Sequence, residues 1–209
     1  MNANESATTR RSLHGVAELL LAGPQHRRSG TIRLRATPGG FATVTEPDLR
    51  VEGADLVAGE LRLPISGTSA RALGAAAGTD AGAPENLYSD GSGVSPDEVL
   101  RVDPVAAAEL AHALTLGDQA LRALSPGATP VLWPEHFDLA ITVDKVNYGV
   151  SPGDAYLPVP YAYVGPWEPR GGEFWNAPFG AARPLSELGG VVAAITGFFA
   201  EGRDRATIS

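Results

Sequence analysis

The chain of 209 residues contains no cysteine. This absence excludes disulfides, iron–sulfur clusters, thiolate zinc sites and thiol nucleophiles. Cysteine-free chains are typical of a reducing compartment, so we expect a cytoplasmic location, although exported proteins without cysteine also occur.

Positive charge is scarce, and lysine is almost missing. Against 24 acidic residues stand 16 basic ones, which gives a net charge of −8, and Lys145 is the only lysine. Such a chain is a poor partner for nucleic acid or for an anionic membrane surface. The apolar stretch from Val16 to Gly23 is short and is interrupted by Glu18, so it predicts a short helix rather than an export signal or a membrane span.

Familiar catalytic motifs are also missing. The sequence has no Gly-Lys-Ser/Thr phosphate loop, no G-x-S-x-G elbow and no H-E-x-x-H pair. His136, Asp138 and Asp154 could in principle supply three metal ligands. Only four histidines exist, and the other three are on distant segments, so we expect no metal.

Alternating apolar and polar residues predict the fold class. Residues 31–65 alternate as in an antiparallel meander, and residues 136–164 predict a second group of strands. Helices are expected over Pro104–Leu124 and from about Leu185 to Ala200, with a further helix start at Ser95-Pro96-Asp97-Glu98. The pattern indicates an α+β protein, with an antiparallel sheet or half-barrel and helices packed on it. Residues 1–10 are expected to be a disordered tail, and residues 11–209 a single domain.

The strand that includes His136 carries the densest polar group. Strict alternation places Phe137, Leu139, Ile141 and Val143 in the core, and His136 and Asp138 on the opposite, half-solvated face. A turn at Asp144-Lys145 sets Thr142 opposite Asn147, which brings His136, Asp138, Ser151 and Asp154 to one end of the sheet.

This group has two interpretations. A histidine beside two carboxylates has a raised pKa and could serve as a general acid or base, which makes His136, Asp138 and Asp154 the candidate catalytic residues. Ser151 could in principle be a nucleophile. The plainest interpretation is structural, with Ser151 and Asp154 shaping a loop.

Aromatic residues are concentrated in the same part of the chain. Of 14 aromatic residues, ten lie between Trp133 and Phe179. One hypothesis is a pocket for a small molecule, lined by Trp133, Tyr148, Tyr156, Tyr161, Tyr163 and Trp167. The alternative is a non-catalytic interaction or self-association module, including a homodimer, that uses exposed Trp167, Phe174 and Trp175 of residues 165–179. The sequence does not decide whether the protein is an enzyme.

The glycine-rich loop 85–93 has an open role as well. It could be a lid over the aromatic pocket or a plain surface connection, which the composition favours.

Three short runs suggest a relationship to a known group of proteins. They are Asp103–Ala111, the Trp-Pro-Glu-His-Phe-Asp-Leu-Ala run from Trp133, and the Tyr-Ala-Tyr-Val run from Tyr161. In this order, over roughly residues 30–200, the chain resembles a bacterial family known only as a domain of unknown function. The resemblance implies a meander, a helix that opens with Asp-Pro and two later strands. It implies no activity and no catalytic residue.

Overall fold

The computed structural model describes residues 3–207, and its secondary structure confirms the α+β class. Ten strands form an antiparallel sheet that is not closed, and helices pack on it. The helical segments are α1 Ala3–Val16, a π-helical segment Ala17–Ala22, α2 Gly23–Ser29, α3 Ala70–Ala76, α4 Pro104–Leu124 and α5 Val192–Thr207. The strands are β1 Leu34–Thr37, β2 Gly40–Thr43, β3 Leu49–Glu52, β4 Asp55–Ala58, β5 Leu61–Pro64, β6 Val131–Trp133, β7 Asp138–Val143, β8 Val146–Ser151, β9 Tyr161–Pro166 and β10 Ala181–Pro184.

The described chain divides into two compact units. The first unit comprises residues 3–112 and 132–137, and the second comprises residues 113–131 and 138–207. The single-domain organisation stays a prediction. Among residues 3–207, no helix has both the length and the apolar character that crossing a membrane requires.

In the first unit, the meander predicted from residues 31–65 is confirmed. Strands β1 to β5 pair in chain order, each antiparallel to the next, and β6 pairs with β1 through Leu34 and Leu132. The π-helical segment packs against β1, β2 and β3, and all six of its residues are buried. The helical segment thus covers the apolar face of the meander. Two amphipathic layers pack in this way because each has to bury its apolar side.

The N-terminal residues differ from the expected disordered tail. Helix α1 begins at Ala3, so residues 3–10 are helical, while Met1 and Asn2 lie outside the described residues. Two hydroxyl groups on this helix are buried and accept backbone hydrogen bonds from a distant segment. Thr9 accepts from the N–H of Asp103 at 2.9 Å, and Ser12 accepts from the N–H of Arg101 at 3.0 Å. Long-range bonds of this kind order a polar segment that composition alone would leave free.

Of the two predicted helix starts near residue 100, one is confirmed and one is wrong. Helix α4 begins at Pro104, and Asp103 caps it by accepting the N–H of Ala106 at 2.9 Å. Residues 95–98 form only a turn. Their carboxylates are used elsewhere, because Asp97 pairs with Arg71 and Glu98 pairs with Arg11.

The second unit is a four-stranded antiparallel sheet with helices on one face. The strand order is β10-β9-β8-β7. Gly117 of α4 faces Val150, and Gly202 of α5 faces Val164, each so closely that an added Cβ would come within 3 Å of the valine. Helix α5 begins at Val192 rather than near Leu185, since Gly189 and Gly190 adopt left-handed backbone conformations that a helix does not allow.

Candidate functional site

The strand predicted around His136 is shorter than expected. Strand β7 begins at Asp138, and His136 lies exposed in the turn 134–137 of the first unit. The interruption is at Phe137, whose φ of 53° is left-handed and ends the alternation that the sequence predicted. The predicted placement of His136 and Asp138 on one strand face is therefore wrong.

The register beyond this point is confirmed, but the half-solvated face is not. Thr142 lies opposite Asn147, as the turn at Asp144-Lys145 predicts, and the same register sets Asp138 opposite Ser151. Every residue from Phe137 to Ile141 is buried, so the first half of β7 is covered on both faces. Alternation in the sequence distinguishes the two faces of a strand, but it does not show whether the polar face is covered as well.

On the face of the second unit opposite its helices, Asp138 is paired with a tyrosine. Asp138 is only 7% exposed and accepts a short hydrogen bond from the hydroxyl of Tyr163. The Tyr163 ring lies over Gly149, its ladder partner, where a Cβ atom would come within 2.5 Å of the ring. Burial and the Asp138 charge raise the pKa of Tyr163 well above its usual range, so the phenol stays a neutral donor.

Asp154 forms a second tyrosine pair beside the first. Its Oδ2 accepts the hydroxyl of Tyr161 at 2.5 Å, and its Oδ1 accepts the N–H groups of Tyr156 and Leu157 at 2.8 and 2.9 Å. Burial and this bond raise the pKa of Tyr161. Ser151 accepts the N–H of Gly153 at 3.1 Å. Ser151 and Asp154 thus shape the loop after β8, as the structural interpretation predicts.

Two further aromatic rings, those of Tyr156 and Phe179, pack against the tyrosines of these two pairs. The rings of Tyr156 and Phe179 meet at 72° with centroids 5.1 Å apart, and Tyr161 and Tyr163 pack against Phe179 at 6.5 and 6.1 Å. Tyr156 is 45% exposed and Phe179 is 38% exposed. We refer to Tyr156 and Phe179 as the aromatic corner. The sequence analysis missed Phe179, and the only available signal was its place at the end of the aromatic-rich segment.

The other predicted lining residues lie elsewhere. Tyr148 is 1% exposed and packs edge-on against Phe199 of α5, so it belongs to the helix-covered core, where burial raises its pKa to about 12. Trp133 is in the first unit, with the Arg33 guanidinium 5.8 Å above its ring. Trp167 is 63% exposed, and its Nε1–H donates to Asn147 at 3.4 Å. Of the six predicted residues, Tyr156, Tyr161 and Tyr163 are brought together.

The first unit contains a cleft that the sequence analysis did not anticipate. Its volume is about 510 Å³, and no aromatic side chain lines it. Arg27 is held at its edge by bonds to the carbonyl oxygens of Asp80 and Gly82, at 2.5 and 3.2 Å. The lining residues are Pro24, Arg27, Arg28, Ala75, Gly78, Thr79 and Asp80.

Metal binding has no visible site in the described part of the chain. Within residues 3–207, no three histidine or carboxylate side chains come together in a way that could hold a metal ion.

Comparison with known proteins gives no relative. The chain matches no protein-family model, no curated protein and no solved structure. The resemblance to an uncharacterised bacterial family stays a prediction, and the function must be argued from the site itself.

Proposed function

We propose that the second unit binds a small molecule that carries a flat ring, at the aromatic corner of Tyr156 and Phe179. The observation that carries this proposal is the pair of half-exposed rings, nearly perpendicular and 5.1 Å apart. A planar ring that enters such a corner stacks on one side chain and presents its edge to the other. These are the two arrangements that aromatic pairs prefer.

The residues beneath the corner support binding because they are held rigidly. Tyr161 and Tyr163 are fixed by their bonds to Asp154 and Asp138, and both tyrosines pack against Phe179. Ordering a side chain on binding costs free energy, and rings that are already ordered avoid that cost. Half-buried Asp154 adds a carboxylate near the corner, which favours a ring that carries an N–H or O–H donor.

The geometry favours binding over catalysis by these carboxylates. Each already accepts a phenol hydrogen, and Asp154 also holds the backbone of its own loop. His136, Asp138 and Asp154 therefore stay a catalytic hypothesis, and the hydrogen bonds of the two aspartates support a positioning role.

The interaction module remains a second candidate because Trp167 is largely exposed. Phe174, expected to be exposed, is instead 7% exposed and packs against Phe198 of α5 at 5.5 Å. Trp175 is half-buried against Phe174. A partner surface on residues 165–179 would thus depend mainly on Trp167, and a single exposed tryptophan is less than the clustered aromatic anchors of most interfaces.

Ligand-observed NMR with indole and phenol, and with cyclohexanol as a non-planar control, tests the proposal. Binding of the flat rings should weaken about tenfold in Tyr156→Leu and in Phe179→Leu, because each change removes one wall of the corner. Trp167→Leu is the matched control and should bind as the wild type does. Equal binding of cyclohexanol, or unchanged binding in both corner variants, would refute the proposal.

The same variants address the second candidate. Sedimentation of the wild type and of Trp167→Leu over a range of concentrations measures self-association. A dimer that is lost in Trp167→Leu alone, without ring binding at the corner, would support the interaction module.

A further inference from the structure

Glu18 is a buried charge within an apolar helix. It lies in the π-helical segment, where all six residues are buried, and it is itself 4% exposed. π-helical turns are rare and occur frequently at functional sites. A carboxylate removed from water requires hydrogen bonds or an opposite charge, so its partners indicate what the site is for.

The partners of Glu18 do not supply a positive charge. Its Oε2 accepts the N–H of Ser92 at 2.7 Å, and among residues 3–207 no lysine or arginine forms an ion pair with it. One backbone hydrogen bond satisfies part of a carboxylate that has about four acceptor positions.

His14, one helical turn before Glu18, is not a cation at neutral pH. Its Nε2 lies 2.6 Å from the carbonyl oxygen of Pro134, and since a carbonyl only accepts, Nε2 must carry the proton. The ring stacks on Phe137 at 5.2 Å. Burial lowers the pKa of His14 despite the nearby Glu18 carboxylate, so the imidazole stays neutral.

The Tyr88 hydroxyl lies close to the same carboxylate. Its oxygen is buried and makes no hydrogen bond of normal geometry with the described residues, so its contact with Glu18 is a poorly aligned one. Burial raises the pKa of Tyr88, and the charge of Glu18 and its contact with the hydroxyl raise it further, so the phenol stays neutral. An unsatisfied buried hydroxyl is uncommon in folded proteins and is one mark of a place for a ligand atom.

The loop 85–93 covers this group. At Gly91 a Cβ atom would lie 2.1 Å from Oε1 of Glu18, so only glycine fits there. At the carboxyl end of this loop, the N–H of Ser92 donates to Glu18, and the carbonyl of Gly93 accepts from Arg11 at 2.9 Å. Most residues before them are exposed. On the other side of the loop, the Gly82 N–H donates to the carbonyl oxygen of Leu19 at 2.9 Å, so the exposed stretch lies between two attachments.

We propose that Glu18 and Tyr88 form a second ligand site, beneath the loop 85–93, for a small organic cation with several N–H donors. A guanidinium or primary ammonium group would supply the positive charge that Glu18 lacks. It would also donate to the Tyr88 oxygen, which as a neutral phenol accepts readily. The loop would have to lift at Gly91 and close over the ligand.

Calorimetric titration with butylguanidinium, and with butylurea as its neutral isostere, tests this site. The wild type should bind butylguanidinium and should not bind butylurea. Affinity should fall at least tenfold in Glu18→Gln, which keeps an acceptor for Ser92 but removes the charge, and also in Tyr88→Phe. Glu60→Gln, which changes an exposed acid of the same unit, is the matched control and should bind normally.

Hydrogen exchange gives a second readout that does not depend on the variants folding. Butylguanidinium should protect the amides of residues 85–93 in the wild type, since the lid closes over it. The absence of wild-type binding, equal binding of butylurea, or full affinity in Glu18→Gln would each overturn the proposal. None of these outcomes bears on the aromatic corner, which is tested with uncharged rings.

Discussion

The two units each bury a carboxylate beside a tyrosine, and they do so differently. In the second unit, the Tyr163 hydroxyl donates directly to Asp138. In the first, the Tyr88 hydroxyl lies close to Glu18 without a hydrogen bond of normal geometry among the described residues, and Glu18 is held by a backbone N–H from a loop. A satisfied polar network stabilises and orders a core, whereas an incompletely satisfied one leaves bonding capacity for a ligand.

The difference follows from the elements that carry the tyrosines. Tyr163 is on β9, whose ladder with β8 fixes its ring over Gly149 and beside Asp138. Tyr88 is on the irregular loop 85–93, where no ladder fixes its position. The free energies of unfolding of matched variants should therefore differ between the two pairs.

Asp138→Leu should have the largest effect. It leaves the buried Tyr163 hydroxyl without an acceptor, and we expect the free energy of unfolding to fall by about 2–3 kcal/mol. Adding Tyr163→Phe should recover part of the loss, because the double variant no longer buries a Tyr163 hydroxyl that lacks an acceptor. Urea denaturation of the two single variants and the double variant measures the coupling. Strictly additive losses would show that the pair does not act as a unit.

Tyr161→Phe should have a smaller effect. The variant loses one hydrogen bond to a half-buried carboxylate. Such a bond typically contributes about 1.5–3 kcal/mol to the free energy of unfolding. We expect a value at the low end of this range, because water can reach Asp154. Tyr156→Phe is the control, since its exposed hydroxyl lies 3.5 Å from the Asn176 carbonyl, and its stability should match the wild type. Equal losses in both variants would contradict the assignment.

His14 should make the stability of the protein depend on pH. Burial lowers the pKa of His14 in the folded protein. The Glu18 carboxylate raises this pKa in part, whereas His136 and Arg10 lower it further. Below the unfolded pKa of 6.5 the unfolded chain takes up the proton more readily, so stability is lost as the pH falls towards 5. Denaturation midpoints at pH 7 and pH 5 should differ less in His14→Gln than in the wild type. Identical pH dependence would show that His14 is not the responsible group.

Glu18→Gln should have the smallest effect on stability of these variants, about 1 kcal/mol or less. The amide keeps an oxygen for the Ser92 N–H and removes a buried charge that no cation compensates. Thermal denaturation without ligand measures it. A loss as large as that of Asp138→Leu would mean that Glu18 is a structural anchor, and the contrast between the units would disappear.

Local sequence patterns predicted the parts of the fold that local interactions form. The Asp103 cap, helix α4 and the β7–β8 register were all predictable, because each depends on residues a few positions apart. The candidate site was predicted less well. Tyr161 and Tyr163 share a face by their spacing of two, but Tyr148 was assigned to the same pocket although it packs against α5. An aromatic residue shows no preference for either face until a helix covers one of them.

The sequence by itself determined the α+β class, the meander and the concentration of aromatic residues, since periodicity and turn residues act over short distances. Tertiary structure alone decided three further features. It ordered residues 3–10 through bonds to Asp103 and Arg101, and it turned His136 out of β7 at Phe137. It also buried Glu18 beneath Gly91, 73 positions later in the chain. Each depends on contacts between distant segments, and no local pattern encodes those contacts.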